Sequence, residues 1–266
     1  MIIVGEKLNG TSKPVQEAID KRDASFVTQL ARAQRDAGAD YIDVNAGIFY
    51  DDEPERLEWL VSAIRREVDV RFSLDTSNSE TLRPALKIIQ NEKPLINSIT
   101  AQKRRFQAVL PLVKEFDTSV VALCMNDGGL PNTADGRIAI ARDLVERLTG
   151  AGLCHEAIFL DPIVRPIGID SSACITAIET IKEMKKRWPG IHIICGVSNI
   201  SYGIPARRLM NRTFLAAAVI AGLDCAILDP LDDDMLRSIC AAEALAGVDK
   251  NCERYINQYR ESGLKE

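Results

Sequence analysis

Short apolar runs alternate along this chain with longer segments whose apolar residues recur at helical spacing. The runs fall at residues 2–8, 41–45, 72–75, 95–97, 119–125, 157–161, 191–196 and 225–229, the length and composition of strands buried on both faces. Between them the spacing predicts helices over 24–37, 55–67, 78–89, 103–114, 135–150, 174–187, 207–221 and 233–246. Eight strand–helix pairs in a chain of 266 residues predict a closed α/β barrel, the (β/α)8 or TIM architecture. A doubly wound open sheet would place a G-x-G-x-x-G turn after the first strand, and none is there. No low-complexity linker divides the chain, so a single-domain barrel over 1–248 is expected, followed by a polar helical tail over 249–266 with a frayed end.

The apolar runs end repeatedly in a carboxylate or carboxamide: Asp43 and Asn45, Asp75, Asn97, Asn126, Asp161, Asn199 and Asp229. In a barrel these strand ends converge on one face, where chemistry sits. Asp and Asn at such positions also cap helices or close Asx-turns. That reading stands beside the functional one for Asp75 and Asp229, and it suits the Asp232–Asp234 cluster at a helix start. Asp161 fits it less well, because Ile158-Phe-Leu160 before it and Pro162 after it would bury the carboxylate.

A net charge of −5 and the lack of a basic stripe with interleaved aromatics argue against nucleic acid as a partner. The seven cysteines are spread singly with no C-x-x-C, as buried reduced thiols would be. With His155 and His192 alone and no H-E-x-x-H, no bound metal is expected. Met1-Ile-Ile-Val-Gly5 is too short for a signal peptide and no apolar stretch reaches membrane length, so a cytoplasmic protein without membrane contact is expected. Lys7 is the sole strand-end lysine available for a Schiff base, and the histidines are too few for a two-metal hydrolase. What a mouth of acceptors suits is a planar, donor-rich heterocycle, since a carboxylate accepts two parallel N–H bonds from an amino-pyrimidinone edge as it does from guanidinium. A pterin has such an edge.

The motifs Gly5-Glu-Lys-Leu-Asn9, Asp43-Val-Asn45, Leu74-Asp75, Ile96-Asn97-Ser98, Asp161-Pro162, Gly196-Val-Ser-Asn-Ile-Ser201 and Asn211-Arg-Thr-Phe-Leu215 occur in this order over nearly the whole chain. In them the chain resembles the pterin-binding methyltransferases: the methyltetrahydrofolate:corrinoid protein methyltransferases and the folate-binding module of cobalamin-dependent methionine synthase. The resemblance implies that Asp75, Asn97 and Asp161 hold the pterin ring, with Gly196, Ser198 and Asp43 in the same site. It implies that Asn199 hydrogen-bonds near N5, the atom that carries the methyl group. The segment from Tyr202 to Arg208 would lie where the aminobenzoyl-glutamate tail leaves, and Arg207 either pairs with its carboxylates or is a solvated helix start.

The related dihydropteroate synthases carry Arg-Lys after the seventh-strand Ser, where this chain has Asn199-Ile200 after Ser198. Methyl transfer needs positive charge or a strong hydrogen bond at N5; Asp75 and Asp43 would favour the protonated form, and the Asn199 amide can accept or donate. Asn199 and Asp75 are therefore the expected catalytic residues, serving displacement by the cobalt(I) of a corrinoid. A cobalamin-binding D-x-H-x-x-G motif is absent, which points to a corrinoid carried on a separate protein. Glycines at Gly128, Gly129 and Gly203 are compatible with its close approach. A homodimer is implied by the family alone. A non-catalytic folate-binding subunit of a methyl-transfer complex is the rival reading.

Overall fold

The computed structural model describes residues 1–89 and 93–262. Its strands are β1 (Ile2–Asn9), β2 (Tyr41–Asn45), β3 (Arg71–Asp75), β4 (Leu95–Thr100), β5 (Ser119–Leu123), β6 (Ile158–Asp161), β7 (His192–Gly196) and β8 (Cys225–Leu228). All pair in parallel with their chain neighbours, and β1 closes on β8 to complete the barrel. The helices are α1 (Lys13–Asp20), α2 (Ala24–Asp36), α3 (Glu53–Arg65), α4 (Ser79–Ile89), α5 (Lys103–Glu115), α6 (Ala134–Gly150), α7 (Ala173–Arg187), α8 (Arg207–Ala221), α9 (Asp233–Leu245) and α10 (Glu253–Ser262).

The twofold alternation of strand side chains decides what lies inside the barrel and what lies under the helices. Ile42 and Val44 of β2, Phe72 and Leu74 of β3, and Ile158 and Leu160 of β6 pack in the outer layer against the helices. The other parity turns inward, where Val4, Tyr41, Leu95, Val121, Phe159, Ile194 and Cys225 form a separate apolar cluster. Two residues further along the same inward columns stand Glu6, Asp43, Asn97 and Asp161. The barrel interior is thus apolar at the strand starts and acidic at the strand ends. At that acidic end the ladder shifts register between Gly5 and Leu8 and again between Asn97 and Ile99. Such irregularities re-aim side chains next to a site.

Predicted and observed elements agree to within a few residues, with one helix unanticipated. Helix α1 buries Val15, Ala18 and Ile19 and carries Pro in its first turn, a helix-start signal outside the strand-then-helix count. The cysteine expectation needs correction: Cys124, Cys195 and Cys225 are buried, but Cys154 is exposed and Cys174, Cys240 and Cys252 are half-buried. The buried three lie on or beside strands, whereas the others sit on helix faces and connecting segments that reach solvent. Beyond α9, Asp249 accepts from the backbone N–H groups of Arg254 and Tyr255 at 3.2 and 3.1 Å, capping α10. Arg254 pairs with the buried Glu243 of α9, which docks this final helix on the barrel. Residues 263–266 of the expected tail lie outside the described residues. Among the described residues no helix is long and apolar enough to cross a membrane.

Helix α8 stops at Gly222, whose φ of 115° is open to glycine and hostile to other residues. A Cβ there would stand 2.9 Å from Cβ of Lys185 on α7, whose ammonium reaches Asp224 at 2.7 Å. Gly222→Ala is therefore expected to destabilise the protein by about 1–3 kcal/mol. The measurement is the urea midpoint, and an unchanged value would mean that the helix end relaxes freely.

Candidate active site

Four strands bring a carboxylate column to the barrel mouth, and each acid has a specific polar partner. Asp43, buried inside β2, accepts from the Ser73 hydroxyl at 2.5 Å and the Asn97 amide at 3.4 Å. Asp75, at the end of β3, accepts from the Asn45 amide at 2.8 Å. Glu6 of β1 accepts from the Ser198 hydroxyl at 3.1 Å. Asp161, at the end of β6 and 7% exposed, accepts from the backbone N–H of Ile163 at 2.6 Å.

Burial dominates their electrostatics. It raises Asp43 well above the usual carboxylate range, with neighbouring Asp75 adding to the shift. Burial also raises Asp75, the Asn45 amide opposing and Glu53 adding. Glu6 is raised by burial against the Ser198 hydroxyl. Asp161 is lifted by burial to about 7, with the Ile163 N–H and the Arg137 guanidinium pulling the other way. The mouth therefore holds acids whose proton affinity burial has raised, with Asp161 brought to about 7.

The loops around these acids are tied down from the outer helices. Arg105, near the start of α5, donates to Ser98 O at 2.9 and 2.6 Å, to Ser77 O at 2.7 Å and to Thr76 O at 2.7 Å. One side chain thus joins the loop after β3 to the far half of β4, beside Asp75 and Asn97. The Thr76 hydroxyl donates to the buried Glu53 at the start of α3. Arg137 on α6 is fully buried and joins the loops after β5 and β6, donating to Pro131 O and Ile163 O, both at 3.1 Å. Ile163 has a φ of 62°, a conformation costing a β-branched residue about 1–3 kcal/mol.

After β7 the chain enters a 3-10 turn, Val197–Ser201, that projects Asn199 into solvent. Among the described residues the Asn199 amide has no hydrogen-bond partner. Gly196 makes room for it: a Cβ at Gly196 would stand 2.9 Å from Asn199 Nδ2. Arg207, the first residue of α8, donates to Ser198 O at 2.8 Å and Ser201 Oγ at 3.1 Å. It therefore braces the turn as well as reaching solvent. Tyr202 is exposed beside it. A cleft of about 220 Å³ runs between these loops, lined by Glu6, Ser198, Arg207, Asn211 and Asp229.

The structure joins Asp43 to Asn97 by a hydrogen bond and pairs Asp75 with Asn97 across neighbouring strands, with Ser198 joined to Glu6 nearby. Asp229 behaves as a turn residue, accepting from Leu231 N at 3.0 Å, and it also pairs with Lys7 at 2.9 Å. Asp232 caps α9, and Asn126 closes a local turn onto Gly128 N at 2.9 Å. Both histidines stand at the opposite end of the barrel. There His192 stacks on Phe159, with ring centroids 4.7 Å apart, beside a cavity of about 540 Å³ at the strand starts. The acids among its described lining residues, Asp117 and Glu156, are exposed, unlike the buried carboxylates at the mouth. Glu6, Glu53, Arg105 and Arg137 were not singled out from the sequence. A charge inside an apolar strand marks Glu6; the two arginines look like ordinary helix residues until the loops fold back on them.

The residues of this site lie inside a recognised family. The chain belongs to the pterin binding enzymes, whose pattern matches residues 5–229. It is 34% identical over 267 residues to a protein of Eubacterium limosum named methylcorrinoid:tetrahydrofolate methyltransferase, covering 99% of this chain and 98% of that one. It is 29% identical over 241 residues to the methionine synthase of Mycobacterium tuberculosis, covering 86% of this chain but 20% of that protein. The chain thus spans about a fifth of that synthase. Among solved structures, the 7,8-dihydropteroate synthase of Vibrio fischeri superposes with a TM-score of 0.72 at 17% identity over 92% of each chain. A Yersinia pestis dihydropteroate synthase with a pterine-sulfa conjugate gives 0.69 at 19% identity, again over 92% of each. These two likenesses are of the fold.

Raised carboxylates oppose stability once ionised. Between the ordinary Asp value near 4 and about 7, native Asp161 keeps a proton that the unfolded chain has released. Stability therefore falls as pH rises through that window and levels off above it. The urea midpoint of the wild type is expected to fall from pH 5 to pH 8. In Asp161→Asn the fall is smaller, each raised unit being worth about 1.4 kcal/mol. Parallel profiles for the two proteins would mean that Asp161 does not titrate as a buried acid.

Proposed function

We propose that this barrel is a methyltransferase that moves a methyl group between N5 of a tetrahydrofolate and the cobalt of a corrinoid carried by a separate protein. The observation that carries the proposal is the Asn199 amide, unpartnered and seated against Gly196, at the rim of a mouth lined by raised carboxylates. The near full-length likeness to the Eubacterium limosum methylcorrinoid:tetrahydrofolate methyltransferase supports it.

In this reading Asp161 accepts paired N–H bonds from the amino-pyrimidinone edge of the pterin, with Asn97 and Asp75 completing the ring contacts. When the methyl group leaves N5, the bonding pair stays on nitrogen, so N5 must gain a proton or a strong hydrogen bond. Where ionised, Asp43 and Asp75 favour positive charge there; where protonated, they can supply N5 with its proton. Asn199 accepts from protonated N5 through its carbonyl oxygen or, with the amide turned over, donates to the neutral product's lone pair. Arg207 spends Nε and Nη2 on its own loop, leaving Nη1 for a carboxylate of the glutamate tail beside Tyr202. The reading includes no bound metal, a cytoplasmic homodimer, and a corrinoid face approaching the rim.

The synthase alternative draws support from shape alone, and Asn199-Ile200 occupies the place where that enzyme carries its Arg-Lys pair. A purely folate-binding subunit would leave the free amide of Asn199 without a task.

The test is methylcobalamin formation from free cob(I)alamin and methyltetrahydrofolate by the purified chain. Asn199→Ala is expected to lower the transfer rate about a hundredfold, the scale of one lost transition-state hydrogen-bonding group, with folate affinity changed far less. Gly196→Ala, which would crowd Asn199 Nδ2, should reproduce part of that loss. Wild-type rates in both variants would remove Asn199 from the mechanism.

A further inference from the structure

Resting on that reading of Asp161 as a pterin ligand, we infer that Arg137 is its positioning residue, holding Ile163 so that the carboxylate is presented to the ring and supplying positive charge behind it. Arg137 lies on α6, outside the barrel wall, and forms no ion pair with Asp161. It acts through one residue. Ile163 donates its N–H to Asp161 Oδ1 at 2.6 Å and accepts from Arg137 Nη1 at 3.1 Å through its own carbonyl. The second bond depends on the left-handed conformation of Ile163, with φ at 62°, which is strained for an isoleucine.

A guanidinium is an expensive way to satisfy two loop carbonyls. Arg137 is wholly buried and its Nη2 has no hydrogen-bond partner among the described residues. A neutral amide would meet one of the same carbonyls without burying a charge. What the guanidinium adds is its charge and a fork wide enough to reach both Pro131 and Ile163. Arg165 and Asp170, in the loop after β6, act on Arg137 with opposite signs, and the other groups beside Asp161 are uncharged. Cys124 beside β5 and Cys195 on β7 are buried thiols, both pushed up by burial and therefore neutral, and Arg137 is the cation acting on Asp161. Cys124 also donates its backbone N–H to the Asp161 carbonyl at 3.0 Å, so the strand end is held on both sides.

The experiment is titration of the full chain with methyltetrahydrofolate from pH 5.5 to 9, for wild type, Arg137→Gln, Arg137→Lys and Asp161→Asn, each checked for folding. In the wild type, affinity rises with pH as Asp161 ionises, then reaches a plateau. Arg137→Gln removes the charge and the fork, so the rising limb moves to higher pH. A limb one unit higher lowers the ionised fraction at pH 7 about fivefold. Arg137→Lys keeps the charge and loses the fork: its limb stays in place and its plateau affinity drops about tenfold. A folded Arg137→Gln whose limb stays at the wild-type pH overturns the inference. If Arg137→Gln does not fold, Arg137→Lys decides, and a wild-type plateau overturns it. Asp161→Asn separates the two levels: unchanged pterin binding there means that the pterin reading of Asp161 has failed, whatever Arg137 does.

Discussion

The inward columns of the barrel change character halfway up, and the rest of the molecule follows from that change. Tyr41, Leu95, Phe159 and Ile194 fill the lower interior with apolar volume that excludes water. Directly above them, the same alternation brings Asp43, Asn97 and Asp161 into a space closed from below. Carboxylates in such a place lose hydration, and the loss is recovered only in part by Ser73, Asn45, Asn97 and the Ile163 N–H. The result is a set of acids whose proton affinity is raised by the same burial that closes the core. A mouth of this kind destabilises the empty protein and is relieved by a ligand that brings donors.

Such a mouth must be held in shape, because unsupported loops would turn the acids toward water. The support comes from outside the barrel. Arg105, Arg137 and Arg207 stand near the starts of their helices and donate to loop carbonyls instead of pairing with surface acids. Each bond satisfies a carbonyl of an irregular segment and places positive charge behind the acidic mouth. The loops after β3, β5, β6 and β7 and the far half of β4 are fixed in this way. Asn199 is the exception, without a hydrogen-bond partner among the described residues, on a turn that is itself braced.

Much of this was legible along the chain. Runs of strand length separated by helical spacing identify the barrel, and a polar residue at the close of each run marks one face. Asp75, Asn97, Asp161 and Asn199 close such runs, and the family resemblance is what sets them apart from the other strand-end residues. Local chemistry competes at the same positions: Asp229, Asp232 and Asn126 obey the turn and capping rules that any strand end invites. Helix α1 escaped notice because it adds a second helix to a unit that needs one. Arg105 and Arg137 carried no signal, since an arginine in the first turns of an amphipathic helix is ordinarily a surface residue.

Periodicity and residue type therefore determined the architecture and the kind of chemistry its mouth could support, because both depend on which side of a strand or helix a residue occupies. Tertiary structure alone decided which acids share a network, which are spent on local turns, and which cations stand behind them. Those outcomes depend on distances between segments far apart in the chain. Burial, the force that raises the carboxylates, exists only once the barrel has closed.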